Sequence, residues 1–260
     1  MNIKQTKIEK GTAYLEAIVS QEEVDLEKNH VVEEMIKTVS VKGFRQGKAP
    51  KAIAEKSLDP DKLSDHILGH IMNHLLEHAI EEHHYRLLGR PVLEELKAEK
   101  DGSWNVKLQL PLYPEVKLGD YAKYLKTKDK DKKDKKVEDV YQALLDHEKV
   151  DVSELIINEE VNYSLGRLTT QAKSLNLPLE DYLKALGKSL DQVKKEYAES
   201  AEKSVRLDLI LLEIAKKENI DTDDKELIEL AKISNIESKQ MDQLRSIMNR
   251  RKTIDYLMKI

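Results

Sequence analysis

Four histidines recur at every fourth position, His66, His70, His74 and His78, with His83 and His84 close behind. On a helix, an i,i+4 pair of imidazoles leaves from one side of the cylinder and can chelate a transition metal. A metal-binding protein built on His66, His70, His74 and His78 is therefore one reading of the chain. Two features oppose it. Each step of four residues advances the stripe by about 40°, so it covers roughly 120° of surface. Leu68, Met72, Leu75, Leu76 and Ala79 are then expected to form the buried face on the opposite side. In addition, no carboxylate stands at the spacing of a catalytic zinc motif. The expectation is a solvent-facing stripe, with no metal and no cofactor.

The second constellation is VSVKGFRQGKAP, residues 39–50. Gly43 and Gly47 permit positive φ and hence a tight excursion of the backbone. Lys42, Arg45 and Lys48 surround Phe44, the single phenylalanine of the chain. A lone aromatic beside a turn commonly tucks back into the core. The alternative is a docking tip, in which an apolar anchor sits beside a planar donor for carboxylate or phosphate.

Nothing else suggests catalysis. The chain has no cysteine, which removes thiolate nucleophiles, disulfides and zinc thiolates. It has no G-x-S-x-G and no phosphate-binding glycine loop. Glu154, Glu159 and Glu160, like Asp223, Asp224 and Glu226, follow helix starts, where negative charge complements the dipole. A net charge of −5 argues against bulk affinity for nucleic acid, so any polyanion contact must be local. No apolar run reaches the 18 or so residues that span a bilayer, and the N-terminus lacks an apolar stretch of signal-peptide length. The expectation is a cytoplasmic protein with no membrane contact.

Two kinds of element must position these residues. Alternation predicts strands over Ile3–Ile8 and Thr12–Val19, turning at Lys10-Gly11. A capping box at Ser20 and Glu23 opens a helix with Val24, Val31, Met35 and Val39 on its apolar stripe. Pro50 starts a short helix to about Leu58, and Asp59-Pro60 caps a longer one over Asp61–Leu88, closed by Gly89. Strands follow at Val92–Ala98 and Trp104–Leu110. Residues 1–112 thus read as an α+β domain with an antiparallel sheet.

From Tyr113 the composition changes. Lys126–Lys136 holds seven lysines against three aspartates, and residues 113–136 read as a solvated linker. Residues 137–260 read as an all-α, extended helical domain. Helices are expected over Val137–Val150, Val152–Ser174, Pro178–Leu186, a long one capped by Ser189 and Gln192, then Asp223–Ile233 and Glu237–Ile260. Leu190, Val193, Tyr197, Ala201, Val205, Leu209 and Leu212 make the core stripe of the long helix.

Gly43-Phe44-Arg45-Gln46-Gly47-Lys48-Ala49-Pro50 resembles the G-F-R-x-G-K-x-P signature of the trigger factor family, bacterial ribosome-associated chaperones. Gly89-Arg90-Pro91, Leu112–Val116, Leu177–Gly187, Ala201–Val205 and Ile214–Ile220 extend the resemblance over nearly the whole chain. Ser153 departs from a common family proline, and Gln46 fills a variable slot that is often basic. The resemblance implies ribosome binding through Gly43, Phe44, Arg45, Gln46, Gly47, Lys48 and Pro50, beside the exit tunnel, against a ribosomal protein and rRNA. It implies an ATP-independent hold on nascent or unfolded polypeptides by the helical domain, whose client-binding candidates are Met241, Leu244, Ile247 and Met248. Those apolar residues also allow a homodimer interface. No segment resembles the FKBP-type prolyl isomerase domain usual in the family, so a minimal form without enzyme activity is expected. A non-ribosomal holding chaperone of the SurA type and a nucleic-acid binder using the lysine tract are the rival readings.

Overall fold

The structure is a computed structural model that describes residues 2–128, 136–234 and 240–260. It divides into two compact units, Met1–Tyr113 and Pro114–Ile260. The expected centre of the lysine tract and the expected helix start at Glu237 lie outside the described residues.

The first unit is a four-stranded antiparallel sheet with three helices. Strands β1 (Asn2–Glu9), β2 (Thr12–Val19), β3 (Val92–Ala98) and β4 (Trp104–Pro111) stand in the order β1-β2-β4-β3. Lys10 and Gly11 both take positive φ, 44° and 71°, in the two-residue turn of the first hairpin. The register brings Ala13 opposite Leu110, Leu15 opposite Leu108 and Ala17 opposite Val106, all six buried on one face. That period-two stripe is what the alternation in the sequence demands.

Helices α1 (Gln21–Thr38), α2 (Lys51–Lys56) and α3 (Pro60–His83) follow β2, and α1 and α3 cover the sheet. The Ser20 box is present: Ser20 Oγ accepts from the Glu23 N–H, and the Glu23 carboxylate accepts from the Ser20 N–H at 2.9 Å. Val31 of α1 and Ile67, Ile71, Leu75 and Ala79 of α3 close the core. Each buried valine, isoleucine or leucine among them contributes about 1.5–3 kcal/mol.

The structure corrects two expectations here. Helix α3 ends at His83, with His84 left-handed at φ 54°, and does not run on to Gly89. The chain beyond it is claimed by the sheet: Leu88 N–H donates to Pro111 O at 2.9 Å, and Leu87 bridges Leu112. The core face of α3 is also rotated from the expected one. Ile67, Ile71, Leu75 and Ala79 each stand one residue after a histidine, about 100° round the helix. The histidine stripe therefore borders the core instead of opposing it.

The second unit is helical: α4 (Tyr121–Lys128), α5 (Val137–His147), α6 (Glu154–Ser174), α7 (Leu179–Ala185), α8 (Leu190–Lys217), α9 (Asp224–Ile233) and α10 (Met241–Leu257). Ser153 caps α6, its hydroxyl accepting from the Leu155 N–H at 3.2 Å. Ser189 and Gln192 form the second capping box. The core of α8 keeps Val193 and Leu209 of the expected stripe but widens away from it. Leu207, Ile210, Leu211 and Ile214 are buried, while Leu190 and Leu212 are exposed, because the C-terminal half of α8 packs against neighbours on several sides.

The stretch expected as linker contains α4, and α4 is packed. Tyr121 and Leu125 are buried, and the hydroxyls of Tyr121 and Tyr256 both donate to Glu218 at the end of α8. Lysine richness masked this helix, since its apolar residues number few and stand four apart. Leu125→Ala is expected to cost about 2–5 kcal/mol in urea unfolding. A side chain in a solvated linker would cost under about 0.5 kcal/mol.

Candidate functional site

The 41–50 loop hangs between α1 and α2 on a few backbone and side-chain bonds. Phe44 N–H donates to Val41 O at 3.1 Å and Lys48 N–H to Arg45 O at 2.9 Å, making two successive turns. Gly43 and Gly47 hold φ of +88° and +71°, so each turn rests on a glycine. Gln46 Nε2 donates to Thr38 O at 2.7 Å, tying the loop's middle to the last turn of α1. Gln46 is thus a brace within the loop, a role the sequence did not show. Pro50 is extended at φ −54° and accepts from Ile53 and Ala54 N–H at the mouth of α2, as cap instead of first helical residue.

The loop's base is anchored and its tip is bare. Val41, Ala54 and Leu58 are buried. Phe44 is 42% exposed, so the tip aromatic does not return to the core. Lys42, Arg45 and Lys48 are exposed, and among the described residues their side chains form no ion pair. An apolar ring with three unpaired cations around it can bury against an apolar patch beside phosphate or carboxylate.

The candidate client-binding residues are placed unevenly. Met241, Leu244 and Met248 share one stripe of α10 and are half-buried, while Ile247 is 63% exposed. Met248 lines a cleft of about 460 Å³ with Leu230, Ile233, Glu226, Glu229, Arg251, Lys252 and Asp255. Ile233 is 75% exposed on its edge. The buried side of α10 carries Thr253 and Leu257. A polar lattice sets its position: Asn249 Nδ2 donates to Asp221 Oδ1 at 2.9 Å, and Arg245 donates to Thr222 O at 2.8 Å. The Asn249 amide, then the Thr222 N–H, then the Arg245 guanidinium, hold the Asp221 carboxyl below its ordinary range.

A second apolar surface was missed by reading stripes. Leu183 and Leu190 line a cleft of about 510 Å³ between α7 and α8, and Leu175, Leu177 and Leu186 are exposed nearby in sequence at helix ends. The available signal was leucine placed in turns, where no helical face can bury it.

Of the histidines, only part of the stripe is gathered. The donor atoms of Glu27, His30 and His70 all lie within 4.8 Å of one another. His74 faces Glu27 at 3.5 Å, and His78 pairs with Glu82 at 3.5 Å on its own helix. Exposed His66 has no ion pair among the described residues.

The first unit thus lifts an exposed aromatic-cationic loop, and the helical unit that follows it in sequence carries apolar clefts. Two family profiles match the chain: "Bacterial trigger factor protein (TF)" over residues 1–146 and "Bacterial trigger factor protein (TF) C-terminus" over 121–259. The chain belongs to the bacterial trigger factor family. It is similar to the trigger factor of Carboxydothermus hydrogenoformans, 33% identical over 147 residues, covering 52% of this chain and 34% of that protein. It is similar also to that of Streptococcus gordonii, 28% identical over 159 residues, covering 61% and 37%. The matched stretches thus span about a third of the length of these curated relatives. A solved structure from work on "Promiscuous Substrate Recognition in Folding and Assembly Activities of the Trigger Factor Chaperone" shares the fold, with a TM-score of 0.68 at 14% identity, over 100% of this chain and 99% of that one.

The two glycines should differ under substitution. Gly43→Ala meets open space and suffers only the backbone strain of positive φ, whereas a Cβ on Gly47 would stand 2.8 Å from Lys37 O. With about 1–2 kcal/mol of left-handed strain, Gly43→Ala should speed amide exchange at Phe44 about five- to thirtyfold. Gly47→Ala should speed exchange at Lys48 by more than that.

Proposed function

We propose that this chain is an ATP-independent holding chaperone that docks beside the ribosomal exit tunnel and binds nascent or unfolded polypeptides. The observation that carries this reading is the loop tip, with Phe44 exposed and Lys42, Arg45 and Lys48 unpaired among the described residues. The Phe44 ring would bury against a ribosomal protein. Arg45 would present its planar fork to a carboxylate or an rRNA phosphate, and Lys48 would add a point charge. Gly43, Gln46, Gly47 and Pro50 hold the tip in shape.

The helical unit would hold clients by many weak apolar contacts. Met248 and Ile233 at the α9–α10 cleft, Ile247 beside it and the leucines at the α7–α8 turns offer separated patches with charged rims. Separated patches suit an extended, variable chain better than one deep pocket does, and methionine adapts to different partners. No cofactor and no prolyl isomerase step enter this proposal, and the site of action is the cytoplasm. Membership of the bacterial trigger factor family and the name trigger factor among the relatives support the reading.

Co-sedimentation with ribosomes tests the docking half. Phe44→Ala, Arg45→Ala and Lys48→Ala combined should abolish pelleting with circular dichroism unchanged, since the tip adds little to the core. Arg45→Lys alone should weaken it, because a point charge cannot replace a bidentate donor. Undiminished pelleting of the triple variant would refute the docking assignment.

Suppression of aggregation of an unfolded model protein tests the holding half. The full chain should act at near-stoichiometric ratio without nucleotide. Ile247→Asp with Met248→Glu should reduce suppression while the helical signal is kept, and unchanged suppression would move the client surface elsewhere.

A further inference from the structure

We propose that α1 and α3 share a divalent transition-metal site, with Glu27, His30 and His70 as ligands and Glu34 and His74 as supporting groups. The histidines alone did not reveal it, because the ligand set crosses between helices. Glu27 and His30 are three residues apart on α1, and Glu34 lies four beyond His30, so all three share one side of that helix. His70 and His74 project from α3 toward the same seam.

The distances fit a metal better than they fit hydrogen bonds. His70 Nδ1 stands 3.5 Å from Glu27 Oε2, and His74 Nε2 stands 3.5 Å from Glu27 Oε1. Both gaps exceed ordinary N–H···O lengths. A tetrahedral zinc with bonds of about 2.0–2.1 Å has donor-to-donor edges of roughly 3.3 Å. The Glu27–His70 edge is close to that value already. The other edges, within 4.8 Å, close by rotation of the exposed His30 side chain.

Two further observations point to a cation. The Glu27 side chain is only 13% exposed, and its Oε2 is inaccessible to water and accepts no hydrogen bond. A desolvated carboxylate oxygen without a donor is costly, and a bound cation at that oxygen removes the cost. His70 then has its second nitrogen, Nε2, 3.5 Å from Glu34 Oε2. That is the orienting carboxylate commonly found behind a metal-bound imidazole. Two imidazoles and one carboxylate favour zinc, nickel or copper over magnesium or calcium, which prefer all-oxygen shells.

Calorimetric titration of the metal-free full chain with zinc chloride tests the proposal. One zinc per chain should bind, and the melting temperature of the chain should rise on saturation. His70→Ala and Glu27→Gln should each weaken binding at least about tenfold, as should the exposed variant His30→Ala, which leaves the core intact; Glu34→Gln should weaken it by about ten- to a hundredfold or less. The double variant His66→Ala/His78→Ala should bind as the parent does. Absence of saturable binding in the parent overturns the site. So does binding that survives Glu27→Gln and His30→Ala but is lost in the His66/His78 variant, which would mean chelation along α3 alone.

Discussion

The first unit depends on one packing event, the burial of Ile67, Ile71, Leu75 and Ala79 of α3 on the inner face of β2 and β4. Those side chains close the apolar face of the sheet formed by Ala13, Leu15, Ala17, Val106, Leu108 and Leu110, and in doing so they set the rotation of α3. Everything on that helix then has its direction assigned. Of the four histidines that each precede a buried residue, His70 and His74 are turned to the flank where α1 lies and face Glu27. Val31 of α1 joins the same core, so the seam between the two helices is narrow and carries Glu27 in its wall.

The same packing supports the loop. Because α1 is fixed on the sheet, Lys37 O and Thr38 O are fixed points at its end. The loop uses both: the bare α-carbon of Gly47 passes close to the first, and Gln46 donates to the second. Val41 and the α2 residue Ala54 are buried at either end of the turn pair. The backbone of this short loop is thus tied to the end of α1, while the side chains of Phe44, Arg45 and Lys48 stand exposed.

In the second unit the organising contact is polar as well as apolar. Glu218 accepts from the tyrosines of α4 and α10 at the end of α8, while Arg206 of the same helix donates to Leu145 O and Glu148 O at 3.0 Å. The well-buried portion of α8 is its C-terminal half, between these two anchors. Toward its N-terminus only Val193 is buried, and Leu175, Leu177, Leu186 and Leu190 at the neighbouring helix ends stay exposed.

Much of this was legible in the chain itself. Strand alternation, the capping boxes at Ser20 and Ser189, the Asp59-Pro60 start and the glycines of the 43–50 loop are local signals. They act within a few residues, where backbone sterics and nearby hydrogen bonds decide the outcome, and the structure follows them. Residue type alone also marked Phe44, Arg45 and Lys48 as a possible docking set. What required tertiary structure was every question of rotation and partner. The end of α3 was decided by the sheet edge competing for Leu87 and Leu88, the packing of α4 by Tyr121 and Leu125 finding a core far along the chain, and the widened core of α8 by neighbours on several sides. The meeting of Glu27 and His30 with His70 belongs to the same class. A helix in isolation determines which of its side chains share a face, but only the surface it packs on determines where that face points.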